Sequence, residues 1–189
     1  MISKKQMALL IFLAIGSFII VDEVKSDPAE PKFTYTNRSE FMQDVKSCAE
    51  YINTKEPSNI PIQLIVGMAG IESGWGTSRF AVEGNALFGV RTWDDDVPQM
   101  KPRDNPNAEF GVKKYRTKCA SVQDMMDIIN NHYEYEGFRI EREKQLKTGE
   151  LDWVTLLPYL HAWAENDRYR EIISDTIIKR VIPELNNEE

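Results

Sequence analysis

The chain has 189 residues, of which 42% are hydrophobic and 28% charged, and this suits one globular domain with a sizeable core. Its formal net charge of -7 argues against a nucleic-acid-binding protein, because such proteins depend on Lys and Arg contacts to phosphates. His132 and His161 are the only histidines, and neither they nor the two cysteines have zinc-ligand spacing. A glycine-rich phosphate loop and a nucleophile elbow are also missing from the sequence. We therefore predict no metal and no cofactor.

The N-terminus has the pattern of a targeting segment. Lys4 and Lys5 precede an apolar run over residues 7–21, which is too short to cross a membrane comfortably. We predict a signal peptide over residues 1–26, cleaved after Ser26, and an exported protein, periplasmic or secreted, without a membrane span. An uncleaved anchor is the alternative. Removing three Lys, one Asp and one Glu leaves 20 basic and 28 acidic residues, a net charge of -8.

The mature chain is predicted to begin with an extended lead-in over residues 27–36, followed by one catalytic domain over residues 37–189. Asn37 and Glu40 have the spacing of a capping box. The sequence after them carries apolar residues at helical spacing, so we predict a helix that ends by Pro57.

An almost wholly apolar segment, residues 60–71, leads to Glu72. Its length, with Pro61 near the start and Gly74 just past the end, favours a buried helix over a strand. The helix macrodipole and apolar neighbours would both raise the Glu72 pKa, as a glycosidase general acid requires. A solvated Glu at a helix end is the alternative. Trp75, between two glycines, favours a sugar-binding wall.

Residues 85–118 lack a helical period. Residues 90–93 and 111–115 are predicted to pair as a β-hairpin, and the Pro- and Asp-rich segment between them suits either a loop over a cleft or a plain surface loop.

Helical signals resume with an N-cap at Ser121. We predict further helices over residues 133–147, 151–163 and 167–182. The predicted architecture is an α+β domain, mainly α, with a small β-hairpin lobe.

Cys48 and Cys119 are the only cysteines. In an exported protein they permit one disulfide. Two buried thiols are the alternative, because Cys48 lies on an apolar helical stripe.

Residues 72–81, Glu-Ser-Gly-Trp-Gly-Thr-Ser-Arg-Phe-Ala, are followed by Glu-Gly-Asn at 83–85 and Leu-Phe-Gly at 87–89. This pattern resembles the core motif of the bacterial glucosaminidase family, a group of peptidoglycan hydrolases. Tyr115 and the stretch from residue 121 to 142 resemble its Bax-like branch. The resemblance covers roughly residues 38–182 and implies a lysozyme-like arrangement of two lobes around a groove.

The resemblance implies cleavage of β-1,4 bonds in peptidoglycan glycan strands at N-acetylglucosamine, with Glu72 as the general acid. Many family members carry a second acid on a hairpin; Glu109 is our first choice, and residues 94–96, all Asp, are the alternatives. The substrate's N-acetyl group could replace that acid. The family commonly has a cleft Tyr ahead of the last helix, and Trp163 is the residue nearest that place.

The residues predicted to bind the sugar are Gly74, Trp75, Asn85, Phe88, Tyr115 and Trp163. For each aromatic in this set, plain core packing is the alternative. A lytic transglycosylase, a muramidase and a non-catalytic wall-binding domain remain open as functions. We expect a monomer whose partner is the glycan strand.

Overall fold

The structure, a computed structural model, describes residues 28–164, 166 and 168–186. The predicted signal peptide and its cleavage site lie outside these residues. Within this part of the chain, every helix is too short or too polar to cross a membrane.

The domain is mainly helical with one small sheet, so the predicted fold class is confirmed. The helices are α1 (Arg38–Lys55), α2 (Ile62–Ser73), α3 (Arg79–Gly84), α4 (Lys118–Asn131), α5 (Glu136–Thr148), α6 (Trp153–Leu156), α7 (Tyr169–Thr176) and α8 (Ile182–Leu185). The strands are β1 (Arg91–Thr92), β2 (Gln99–Met100) and β3 (Gly111–Lys113). Short 3-10 turns cover Tyr133–Tyr135 and Leu157–Leu160, and a π turn covers Ile177–Val181.

The first helix begins where the sequence predicts. The Asn37 Oδ1 atom accepts a hydrogen bond from the Glu40 backbone N–H at 2.9 Å, which satisfies one of the free donors at the helix start. The Glu40 carboxylate accepts from the backbone N–H and the hydroxyl of Thr36, one residue ahead of the cap. The predicted cap at Asn37 is confirmed, except that the Glu40 carboxylate accepts from the backbone of Thr36 and not from that of Asn37 itself.

Helix α2 is the buried centre of the domain. Residues 64–70 are all buried, and α2 packs against α1 and α7. Pro61 precedes its first turn, and Gly74 ends it in the left-handed conformation at φ +59°, which glycine adopts at little cost. The predicted buried helix ending beside Glu72 is confirmed.

The small sheet has the strand order β1-β3-β2, with both pairs antiparallel. The predicted pairing of residues 90–93 with 111–115 is confirmed through β1 and β3. The segment between them is more ordered than a plain loop, because it contributes β2. The Arg79 guanidinium also donates to the Lys101 carbonyl oxygen at 2.6 Å, which ties this segment to α3.

Helix α4 starts four residues earlier than predicted. Thr117, rather than Ser121, is its N-cap, and its hydroxyl accepts from the Ala120 N–H at 3.1 Å. Ser121 is buried inside the helix, where its hydroxyl accepts from the Leu87 N–H at 2.9 Å. From the local sequence alone, a Ser that accepts a hydrogen bond inside a helix cannot be told apart from a Ser that caps one.

The two long C-terminal helices predicted over 151–163 and 167–182 are each interrupted. Pro158 cannot donate a backbone hydrogen bond, and the chain passes from α6 into a 3-10 turn around it. The second helix widens into the π turn after α7 and then resumes as α8.

Cys48 and Cys119 form a disulfide that joins α1 to α4, with Cα atoms 5.6 Å apart. Both residues are buried. Of the two alternatives open in the sequence, the bridge is the one present.

Candidate active site

A cavity of about 950 Å³ lies between the helices and the small sheet. Its lining residues come from both sides. They are Glu72, Phe88, Gly89, Val90, Arg91, Trp93, Lys113, Ile128, His132, Tyr135, His161, Ala162, Trp163, Ala164 and Asn166. This volume is at the upper end of the usual range for ligand pockets, so the cavity has room for more than a single small ring.

Glu72 supplies the one carboxyl group among the described residues that line this cavity. It sits in the last turn of α2, half-buried, and burial raises its pKa above the ordinary value for Glu. The direction agrees with the sequence-based expectation. Arg91 and Lys113 line the same cavity, so its wall carries cationic groups although the whole chain is acidic.

Tyr169, the first residue of α7, lies beside Glu72 and is buried. Its hydroxyl lowers the Glu72 pKa and so partly offsets the effect of burial. Burial and the Glu72 carboxyl together raise the Tyr169 pKa, which keeps the phenol protonated. The hydroxyl has no partner at good hydrogen-bonding geometry within the described residues, so the contact with Glu72 is closer to a dipole interaction than to a full hydrogen bond.

Trp163, which the resemblance places nearest the family's cleft tyrosine, lines the cavity, and its role there stays a prediction. Tyr169 supplies a phenolic hydroxyl next to Glu72, six residues further along the chain. Tyr169 lies within the helix predicted over residues 167–182 and is not among the predicted site residues.

Phe88 and Trp163 both line the cavity, as sugar-contacting residues should. Their rings meet edge to face, with centroids 6.2 Å apart, and Trp163 also contacts Tyr135 at 6.2 Å. Phe88 is only 3% exposed, so it supports the wall more than it offers a surface to a ligand.

Trp75 faces the interior of the helical lobe and is not among the described lining residues. Its indole lies on Gly70, meets Phe41 edge to face and carries the Arg38 guanidinium 4.9 Å from the ring centroid. Trp75 itself has φ +59°, like Gly74 before it, and this tight turn brings the indole against α2. The two residues shape the end of the Glu72 helix rather than the cavity wall.

Asn85 and Tyr115 act away from the cavity, at the junction of α3, β3 and α4. The Asn85 side-chain amide donates to the Tyr115 carbonyl oxygen at 3.0 Å. The Tyr115 hydroxyl donates to the Asp124 carboxylate at 2.6 Å, and Lys113 pairs with the same carboxylate at 3.1 Å. Burial, followed by this hydrogen bond, raises the Tyr115 pKa.

Glu109 is exposed and is absent from the described cavity lining, as are the three aspartates at 94–96. Asp94 has a structural role, because its carboxylate accepts from the Asp96 N–H at 3.0 Å. A catalytic role for Glu109 stays a prediction.

The sequence interpretation omitted several lining residues, among them Arg91, Trp93 and His132. His132 lies in the stretch that resembles the Bax-like branch, and Trp93 ends a predicted strand, so both had a local signal. Across the described ranges, no three His, Cys, Asp or Glu side chains converge as metal ligands.

A two-lobed, lysozyme-like domain with a half-buried carboxyl group in the groove defines a glycoside hydrolase fold. The family model described as Mannosyl-glycoprotein endo-beta-N-acetylglucosaminidase matches residues 48–181. The chain belongs to this glucosaminidase family.

Protein bax of Escherichia coli (strain K12) is 33% identical over 104 residues. The match covers 54% of this chain and only 35% of that protein. It agrees with the expected Bax-like branch.

Solved structures are similar in fold. The catalytic domain of the autolysin Auto from Listeria monocytogenes has a TM-score of 0.54 at 16% identity, covering 77% of this chain and 85% of that one. A peptidoglycan hydrolase from Sphingomonas sp. A1 has a TM-score of 0.54 at 17% identity, covering 77% and 94%. A type VI secretion system effector–immunity complex from Pseudomonas protegens contains a chain with a TM-score of 0.50 at 20% identity, covering 79% and 94%.

Proposed function

We propose that the chain is a peptidoglycan hydrolase that cuts β-1,4 bonds of glycan strands at N-acetylglucosamine, with Glu72 as the general acid. The observation that carries this proposal is the half-buried Glu72 carboxyl, which supplies the one acid among the described lining residues of a sugar-sized cavity. Family membership supports the glycosidase chemistry. Two structural neighbours, an autolysin and a peptidoglycan hydrolase, support the cell wall as the substrate.

In the first step, the protonated Glu72 carboxyl donates its proton to the glycosidic oxygen while the bond from C1 to that oxygen breaks. Burial favours this protonated form at a higher pH than a solvated Glu would allow. The leaving sugar departs as a neutral alcohol, and Glu72 becomes a carboxylate. The nearby Tyr169 hydroxyl stabilises that carboxylate, which limits how far the Glu72 pKa rises.

The second step requires a nucleophile at C1. Because the described lining residues offer no second carboxyl, we favour attack by the carbonyl oxygen of the substrate's own N-acetyl group, which gives a cyclic oxazolinium intermediate. Water then attacks C1, the bond from C1 to the N-acetyl oxygen breaks so that the N-acetyl group is regenerated, and the water proton passes to the Glu72 carboxylate, which restores the starting enzyme. Activation of water by Glu109 is the competing route, and it would require the exposed Glu109 segment to approach the sugar.

Three alternative functions on the same substrate differ from this reaction. Attack by the muramic 6-hydroxyl would make the chain a lytic transglycosylase, and cleavage on the other side of the sugar would make it a muramidase. A wall-binding domain would keep the cavity without the reaction.

Mass spectrometry of digested, purified peptidoglycan separates these outcomes. We expect products with reducing N-acetylglucosamine ends from the wild-type protein and none from a folded Glu72→Gln variant. Reducing muramic ends or anhydro-muramic ends would overturn the proposed bond specificity. Intact wall that retains bound protein would identify a binding domain instead.

We further propose that residues 1–26 direct export, that residues 27–36 are a lead-in to one domain over 37–189, and that the mature protein acts as a monomer outside the cytoplasm. N-terminal sequencing of the exported protein should begin at or near Asp27. Full-length protein retained in the cytosol would contradict export.

A further inference from the structure

The indole of Trp93 is placed in a way that the reaction at Glu72 does not require. Trp93 lines the cavity from the sheet side, directly after β1, and is 64% exposed. A large apolar side chain that remains in water is informative when it borders a binding site, because burial elsewhere would stabilise the fold.

The Trp93 ring packs against a second aromatic ring. Phe110 contacts it with ring centroids 5.9 Å apart, and the Arg91 guanidinium lies over the Phe110 ring at 4.6 Å. The preceding Thr92 is buried, and its hydroxyl accepts from the Asp94 N–H at 3.2 Å. These contacts restrict the Trp93 ring on one side, and a ring that is partly restrained loses less conformational entropy on binding.

The positions of the exposed aromatic residues in the described part of the chain also point to this cavity. Among the described large hydrophobic residues that are strongly exposed, Trp93 and Tyr133 are the two aromatics, and the others are aliphatic. Tyr133 stacks on His132 with centroids 4.5 Å apart, and His132 lines the same cavity. Trp93 thus lines the cavity that holds Glu72, and Tyr133 contacts a residue that lines it.

We propose that Trp93 is a sugar-binding platform, on which an N-acetylhexosamine ring of the bound glycan strand stacks beyond the sugars held at Glu72. The proposal rests on the proposed function. The ligand class follows from continuity with the Glu72 cavity and from its volume, which exceeds the need of one ring. The apolar C–H face of a pyranose matches the flat indole, and its hydroxyl groups remain in water at the open rim.

The platform should matter for long ligands and not for short ones. The test measures binding of β-1,4-linked N-acetylglucosamine oligomers, a disaccharide and a hexasaccharide, to a folded Glu72→Gln protein that cannot consume them. Replacing Trp93 by Ala in that background should weaken hexasaccharide binding about tenfold, or ~1.4 kcal/mol, and leave disaccharide binding within twofold.

Two control variants test whether the effect is specific to the aromatic ring of Trp93. Trp93→Phe keeps an aromatic face and should retain most of the hexasaccharide affinity. Val82→Ala removes a side chain of equal exposure, 63%, from α3 and should change neither affinity. Far-ultraviolet circular dichroism checks that each variant is folded.

Equal hexasaccharide affinity in the parent and in Trp93→Ala would overturn the platform while leaving the proposed function intact. Equal weakening of the disaccharide and the hexasaccharide would also overturn it, because Trp93 would then act at the Glu72 sugars. If the parent bound no oligomer and the wild-type protein released no fragment from peptidoglycan, both proposals would fail together.

Discussion

The carboxyl group of Glu72 and the hydroxyl of Tyr169 meet where the last turn of α2 faces the first turn of α7. The two groups influence each other in opposite directions. The hydroxyl favours the charged carboxylate, and the carboxylate disfavours ionisation of the phenol. Burial raises the Glu72 pKa, the Tyr169 hydroxyl partly offsets that rise, and the packing of α2 against α7 brings the two groups together.

Removing only the hydroxyl should therefore move the pH profile. Tyr169→Phe takes away the contact that lowers the Glu72 pKa, so that pKa should rise further. Because a general acid must be protonated to act, the alkaline limb of the kcat/KM profile should shift to higher pH. The measurement is wall-lytic activity against pH for the two proteins. The control is Tyr159→Phe, which lies outside the described cavity lining and should leave the profile unchanged. An alkaline limb that does not shift in Tyr169→Phe would contradict the coupling between Tyr169 and Glu72.

Replacing Glu72 by Gln should abolish the proton donor and leave the shape of the site. We expect wall-lytic activity to fall at least about 100-fold, the usual range for a lost general acid. The assay is turbidity of purified peptidoglycan at matched protein concentration. The matched control is Glu109→Gln, which should stay near wild type if the N-acetyl group is the nucleophile. A large loss from Glu109→Gln would instead favour a water-activating role for that residue.

The same Glu72→Gln variant should also change the pH dependence of stability. The Glu72 pKa is raised in the folded state, so the folded protein holds that proton more tightly than the unfolded chain does. The free energy of unfolding of the wild-type protein should fall as the pH rises from the Glu72 pKa of the unfolded chain through that of the folded protein. Gln does not titrate, so the variant should not lose stability over this pH range. The variant should therefore melt higher than wild type at neutral pH, with the difference vanishing below about pH 4, near the ordinary Glu pKa. Thermal scans at the two pH values measure this, and a pH-independent difference would be the contrary result.

The contact between Gly70 and Trp75 predicts a packing effect near the acid. A Cβ atom on Gly70 would lie 2.6 Å from Trp75 Cζ3, so Gly70→Ala should force the indole or the helix to move. We expect a loss of about 1–3 kcal/mol in the free energy of unfolding, as for overpacked cores. Reduced activity should accompany it, because Glu72 is two residues away on α2. Urea unfolding should show partial recovery in Gly70→Ala/Trp75→Leu, whereas purely additive losses would contradict direct contact.

The disulfide predicts a stability cost on reduction. Cys48 and Cys119 close a loop with a sequence separation of 71 residues. Replacing both by Ala should lower the free energy of unfolding by about 2–4 kcal/mol, largely by freeing the unfolded chain. Thiol titration of the denatured wild-type protein should find no free thiol. Two titratable thiols in protein purified under oxidising conditions would exclude the bridge.

Local signals in the sequence were sufficient for the helix that carries Glu72. Pro61, the apolar run and Gly74 each have a short-range physical effect, and together they determine where α2 begins and ends. The first C-terminal break lies at Pro158, a local signal that the prediction of one helix over residues 151–163 left out, and the second lies in the π turn after α7.

The orientation of side chains around the site could not be read in the same way. Trp75 lies within the motif that begins at Glu72, yet a left-handed turn directs its indole into the helical lobe. Tyr169 and Glu72 are almost a hundred residues apart, and only the packing of α7 on α2 brings them together. Contacts of this range leave no periodic trace in a single sequence.

The helix that carries Glu72 and the sheet side of the cavity should differ in how well they tolerate amino-acid substitutions. Residues 64–70 of α2 are fully enclosed, so a substitution there disturbs the core and the acid at once. Trp93 stands largely in solvent on a sheet of three short strands, where a new side chain costs little folding energy. Laboratory evolution toward a differently decorated glycan should therefore begin with randomised codons at position 93 and its neighbours, and should leave the α2 helix untouched.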